Sequence, residues 1–137
     1  MNIPDFDNIL AIDTATDILR LAIRFGGDRL VKSTEAVEKS HGQILFKKIR
    51  ELMESAAIKP ADLDGIAVGI GPGSFTGLRI GLAAAKGYCY ALNIPLAGIS
   101  TLCAGAGAYT NTAEKIAVII DARRDPRPPN PRVHNPQ

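Results

Sequence analysis

The sequence predicts an α/β fold, a mixed five-stranded sheet with helices on its faces. Two patterns carry that prediction. β-like runs separated by a Gly-Gly turn come first, which implies antiparallel strands. Strand-length apolar runs then alternate with helix-length amphipathic segments, and the combination makes the sheet mixed. The length of 137 residues is one domain's worth, and 46% hydrophobic content is ordinary for a globular chain.

The elements follow in order. Ile9-Leu10-Ala11-Ile12-Asp13 is a short apolar run suited to a buried strand. Thr14-Ala15-Thr16-Asp17 is a turn-rich break. Leu19, Leu21, Ile23 and Phe25 then alternate with Arg20, Ala22 and Arg24, the period of a half-buried strand. Gly26-Gly27 reads as a two-residue hairpin turn. Arg29 to Val37 is more polar, with β-branched Val31, Thr34 and Val37, and suits an outer strand.

A helix is expected over 40–57. Ser40 and Gln43 fit a capping box. Leu45, Ile49, Leu52 and Ala56 make one apolar stripe, and Phe46, Met53 and Ala57 a second beside it. Lys47, Lys48, Glu51 and Glu54 are left for water, and Pro60 is expected to end the helix. Gly65 to Ile70 reads as a buried strand, followed by a glycine-rich turn and a helix over 76–92 stopped by Asn93 and Pro95. Leu96 to Ile99 is a short strand, and 100–110 a small-residue helix capped by Ser100. Lys115 to Asp121 reads as a last strand. Residues 126–137 hold five of the nine prolines and one apolar non-proline residue, Val133. Such a segment is expected to be disordered or polyproline-like, and to be a foreign or shifted-frame end.

Charge narrows the function. Net charge is +2, from 16 Lys and Arg against 14 Asp and Glu. Arg127 and Arg132 lie in the proline-rich end, so the rest of the chain balances to zero. A chain that binds nucleic acid tightly by itself carries a basic stripe, and none is visible in the sequence. No apolar run reaches the roughly 18 to 20 residues of a membrane span, and the acidic start lacks a secretory signal, so a cytoplasmic setting is expected. Cys89 and Cys103 lie in small apolar surroundings and are expected to be buried free thiols.

The stretch Gly69-Ile70-Gly71-Pro72-Gly73-Ser74-Phe75-Thr76-Gly77-Leu78-Arg79-Ile80-Gly81 stands between a strand and a helix, where phosphate loops occur. It matches neither G-x-x-x-x-G-K-[ST] nor a clean G-x-G-x-x-G, since Ser74 stands where a glycine belongs. The glycines suit a tight turn and close helix approach instead. From Leu78 to Leu92 the only charges are Arg79 and Lys86. Leu78, Leu82, Ala85, Cys89 and Leu92 make one apolar face, and Ile80, Ala84, Tyr88 and Ala91 another. A helix apolar nearly all round must be covered on both sides, and one side is expected to meet another protein chain.

Asp13 and Asp121 each end an apolar run, an echo that a duplicated lobe would produce, though each also suits a carboxylate capping a turn. His41 and His134 are the only histidines, which falls short of the three or four ligands of a zinc site. Ser74 is not in G-x-S-x-G, so no nucleophile triad is readable.

Several of these residues together resemble one family. Ile9 to Thr16, Ser40-His41, Gly71 to Gly81 and Ile119-Ile120-Asp121-Ala122-Arg123-Arg124 resemble the TsaB (YeaZ) proteins, over about residues 9 to 125. The resemblance implies an actin-like ATPase (ASKHA, RNase H-like) fold of two similar lobes. Here that means a first lobe over 1–110, the first strand of a second lobe within 111–125, and the proline-rich tail 126–137. It implies a non-catalytic partner of the TsaD enzyme in forming N6-threonylcarbamoyladenosine at position 37 of tRNAs that read codons starting with A. The implied partners are a TsaD-like catalytic subunit, a TsaE-like ATPase and a second copy of the chain, with tRNA reached only through the complex and no membrane. ATP and Mg²⁺ then belong to the assembled complex, and this chain holds no cofactor, metal or catalytic residue.

The implied interface lies on the helices 40–57 and 76–92, through Phe46, Ile49, Met53, Leu78, Leu82, Ala85 and Cys89. Gly71, Gly73, Ser74, Thr76 and Gly77 form the glycine turn, and Asp13 and Thr14 a vestigial nucleotide site. The departure from the family begins at Pro126, where a second lobe would continue. Without that lobe an interlobe nucleotide cleft is not expected, and the strand 115–121 is expected to be exposed, mispaired or borrowed by another chain. The alternative function is an ATP-dependent transferase or metallopeptidase-like enzyme of the same superfamily.

Overall fold

The computed structural model describes residues 6–37, 41–107 and 116–120. Strands β1 (Ile9–Asp13), β2 (Ile18–Phe25) and β3 (Arg29–Ala36) come first, then helix α1 (His41–Ala56). A 3₁₀ turn (Pro60–Asp62), β4 (Gly65–Gly69), α2 (Phe75–Leu92), β5 (Leu96–Ile99) and α3 (Thr101–Gly107) follow. The sheet order is β3-β2-β1-β4-β5. β1, β2 and β3 are antiparallel neighbours, whereas β1, β4 and β5 run parallel. The predicted mixed five-stranded sheet is the one observed.

Register explains why one face of this sheet is the core. Leu10 pairs with Ile23 and Ile66, and Ile12 with Leu21 and Val68. Side chains alternate along a strand, so these six apolar residues share one face. α1 crosses that face over β2 and β3, and α2 over β4, β1 and β5. Leu45, Ile49, Leu52 and Met53 of α1 and Ala84, Ala85 and Cys89 of α2 complete the cluster. Full burial of each larger side chain contributes about 1.5–3 kcal/mol. The opposite face is built of smaller groups: Ala22, Ala11, Ala67 and Ala97 form a row across four strands.

Three local expectations are corrected. The β2–β3 connection has three residues, because Phe25 pairs with Arg29 and Asp28 joins Gly26 and Gly27 in the loop. Both glycines take positive φ, +52° and +83°, where a side chain is strained. Pro60 does not end α1. The helix closes at Ala56 with Ala57 left-handed (φ 55°), Ala57 N–H donating to Glu54 O and Ile58 N–H to Met53 O. That paired bonding satisfies the last carbonyls before the proline is reached, and Pro60 instead opens the 3₁₀ turn. Finally, 116–120 carries no strand ladder among the described residues. Val118 rests beside Gly105 of α3, while Ile119 is 90% exposed. A strand exists only with a bonded neighbour, and none of the described strands pairs with it. The Ser40 cap, Asp121, His134 and the proline-rich tail lie outside the described residues.

Candidate protein-docking face and the glycine turn

The glycine stretch holds α2 against the turn that follows β1. Ser74 caps the helix, its Oγ accepting from Gly77 N–H at 3.2 Å. Ser74 N–H donates to Ala15 O at 2.7 Å, and Thr101 N–H donates to Gly71 O at 2.9 Å. A Cβ at Gly73 would stand 2.4 Å from Ala15 O, and one at Gly77 2.2 Å from Thr14 O. One at Gly81 would stand 2.3 Å from Thr14 Oγ1. Only glycine lets the helix come this close. From the other side, His41 Nε2–H at the start of α1 donates to Thr16 O at 2.8 Å. The turn is thereby clasped between the first turns of both helices.

This geometry decides what the glycine turn can do. A phosphate cradle needs free backbone N–H groups aimed at the anion. Here the Ser74 and Gly77 amides are spent on Ala15 and on the Ser74 cap. Thr76 is exposed in the first turn of α2. Asp13 Oδ1 accepts from Ala15 N–H at 3.0 Å and its Oδ2 lies 3.7 Å from Arg20 Nη1, so this carboxylate caps its own turn. Asp13 and Thr14, paired in the sequence reading, point into different places. Asp13 opens on a groove of about 670 Å³ across the alanine-lined face of the sheet, with Arg20, Lys32 and Thr34 at its edge. Thr14 is fully buried against Gly81. Successive residues of an extended chain face opposite ways, which separates the two.

The residues assigned to a partner interface also divide. Ile49, Met53, Ala85 and Cys89 are buried in the core and present no surface. Leu78 and Leu82 are half-buried, and Phe46 is 56% exposed. The open apolar surface lies elsewhere on α2, where Ala83, Gly87 and Ala91 are exposed while Ile80 and Tyr88 are half-buried and Ala84 belongs to the core. Ile80, Ala83, Ala84, Gly87, Tyr88 and Ala91 line, with Phe46, a shallow groove of about 520 Å³. The Phe46 and Tyr88 rings stand at its wall, 6.2 Å apart between centroids. Burial pushes the Tyr88 phenol above its ordinary pKa.

Among the described residues no group of three or more His, Cys, Asp or Glu could hold a metal ion. Both cysteines are free; Cys89 is buried, but Cys103 is exposed. Burial also raises the Cys89 pKa, which keeps the thiol protonated and unreactive. No helix among the described residues is long and apolar enough to cross a membrane.

Comparison with known proteins agrees with this architecture. The family model described as TsaD: tRNA N6-adenosine threonylcarbamoyltransferase matches residues 33–126, more than half of the chain. An uncharacterized protein of Mycobacterium tuberculosis is 39% identical over 118 residues, covering 85% of this chain and 54% of that protein. The tRNA threonylcarbamoyladenosine biosynthesis protein TsaB of Escherichia coli is 36% identical over 117 residues, covering 84% of this chain and 50% of its own length. The solved YeaZ from Pseudomonas aeruginosa matches with a TM-score of 0.79 and 35% identity, covering 87% of this chain and 56% of that one. The chain spans about half the length of the curated relatives it matches. With family model, relatives and fold in agreement, the chain belongs to the TsaB/YeaZ family.

Proposed function

We propose that this chain is a non-catalytic partner of a TsaD-like catalytic subunit in forming N6-threonylcarbamoyladenosine at position 37 of tRNAs reading codons that start with A. The names of relatives in Escherichia coli and Bacillus subtilis support the pathway. The observation that carries the partner role is the outward groove of α2, with small residues on its floor and Phe46 and Tyr88 at its wall. Small, uncharged floors with aromatic walls suit the core of a protein interface. In this reading 1–110 works as a first lobe, and 111–125 begins a second. The same groove serves a homodimer. A TsaE-like ATPase and tRNA join through the complex, where ATP and Mg²⁺ act, and the setting is the cytoplasm.

Calorimetric titration of the chain into a TsaD-like subunit tests this. Ala83→Glu sets a charge on the groove floor and is expected to weaken binding by about a hundredfold, as burial of an unpaired charge does. Equal binding by parent and variant would remove α2 from the interface. One observation favours a second reading, an ATP-dependent transferase or metallopeptidase-like enzyme: Asp13 opens on the larger groove beside Arg20 and Lys32. Titration with ATP and Mg²⁺ separates the two readings, and low-micromolar binding to this chain would favour the enzyme.

A further inference from the structure

A third surface of α2 is chemically unlike the other two. Phe75, Arg79, Lys86 and Tyr90 fall within an arc of about 60° at 100° per residue. All four are exposed, Phe75 to 74% and Tyr90 to 92%. The Arg79 guanidinium lies over the Phe75 ring, 5.3 Å from its centroid. Neither cation makes an ion pair among the described residues. α2 has no acidic residue, so nothing on the helix opposes an anion there. The stripe is about 22 Å long at 1.5 Å per residue.

Two cations flanked by an exposed ring at each end of one line suit a single-stranded nucleic acid. Bases stack on the rings while the cations meet the phosphates, and every base offers a π-face. A protein interface core, by contrast, is depleted in lysine. We infer that this stripe contacts a single-stranded stretch of RNA, and so adds a direct contact to an RNA-modifying assembly. RNA is preferred to DNA because the matching family model describes a tRNA-modifying enzyme. Two cations and a net charge of +2 make the contact weak in isolation, which agrees with the lack of a strong basic patch in the sequence. The inference deepens the proposed function at a surface separate from the Phe46–Tyr88 groove.

Fluorescence anisotropy with the full chain and a labelled oligouridylate tests it. The parent is expected to bind, and Tyr90→Ala and Phe75→Ala each to weaken binding about tenfold, the effect of losing one stacked base. Binding by the parent is expected to fall about sevenfold between about 50 and 200 mM salt, as two phosphate contacts predict. The double variant Arg79→Gln, Lys86→Gln should bind more weakly and lose most of that salt dependence. Absence of binding by the parent, or unchanged binding by Tyr90→Ala, would overturn the inference. A change of oligomeric state in Tyr90→Ala with RNA binding intact would reassign the stripe to a protein contact. Capture of the TsaD-like subunit, measured on the same variants, is expected to stay at the parent level, which keeps failure here distinct from failure of the partner role.

Discussion

Gly77 and Gly87 lie on the same helix in opposite circumstances. A Cβ at Gly77 would press to 2.2 Å from Thr14 O, whereas one at Gly87 would meet nothing within 4 Å. Gly77 is small because its own fold leaves no room. Gly87 meets no such need among the described residues, and glycine lowers helix stability by about 1 kcal/mol relative to alanine. A residue that weakens its helix and fits nothing internal is available to fit something external. The inward side of α2 is therefore accounted for by the fold, and the outward side is the one that the proposed function gives to a partner.

The comparison can be broken in three places, in order of effect. Gly77→Ala forces a methyl into a backbone carbonyl and is expected to destabilise the fold by about 3 kcal/mol. That corresponds to a fall in melting temperature of at least about 10 °C, read by circular dichroism. His41→Ala removes the clasp on Thr16 O and leaves a part-buried carbonyl without this donor, with an expected loss of about 1 kcal/mol. Denaturant titration would measure it; no loss would mean that the clasp on the turn is dispensable. Gly87→Ala is expected to move the other way, raising stability by up to about 1 kcal/mol. A marked loss of stability in that variant would end the contrast between the two glycines.

Much of this molecule was legible in the sequence. Period-two alternation in Leu19 to Phe25 located β2 and its buried side, and Asn93 marked the end of α2, where it takes a left-handed φ of 54°. The two stripes of α2 were legible too. Which stripe faces inward was not, since both are apolar and the choice is made by Gly77 and Gly81 seating beneath Thr14, a contact between distant parts of the chain. Ala85 and Cys89, named as interface residues from the sequence, are core for that reason, and Ile49 and Met53 of α1 are core beside them. Alternation along the extended chain separated Asp13 from Thr14, and Cys103 is exposed where the sequence led to an expectation of burial. The basic-aromatic stripe escaped a search for clustered charge, because its two cations are spaced along a helix and recognisable only with the rings that flank them.

The central claim is that the outward groove of α2 is built for a partner and not for this fold. Gly87→Leu tests it most directly, because one substitution fills the groove floor without touching the core. Melting temperature and affinity for a TsaD-like subunit should be measured on the same preparation. The expected result is a fold at least as stable as the parent with binding reduced about a hundredfold or more, as overfilling the centre of an interface does. Parental affinity together with parental stability would contradict the account.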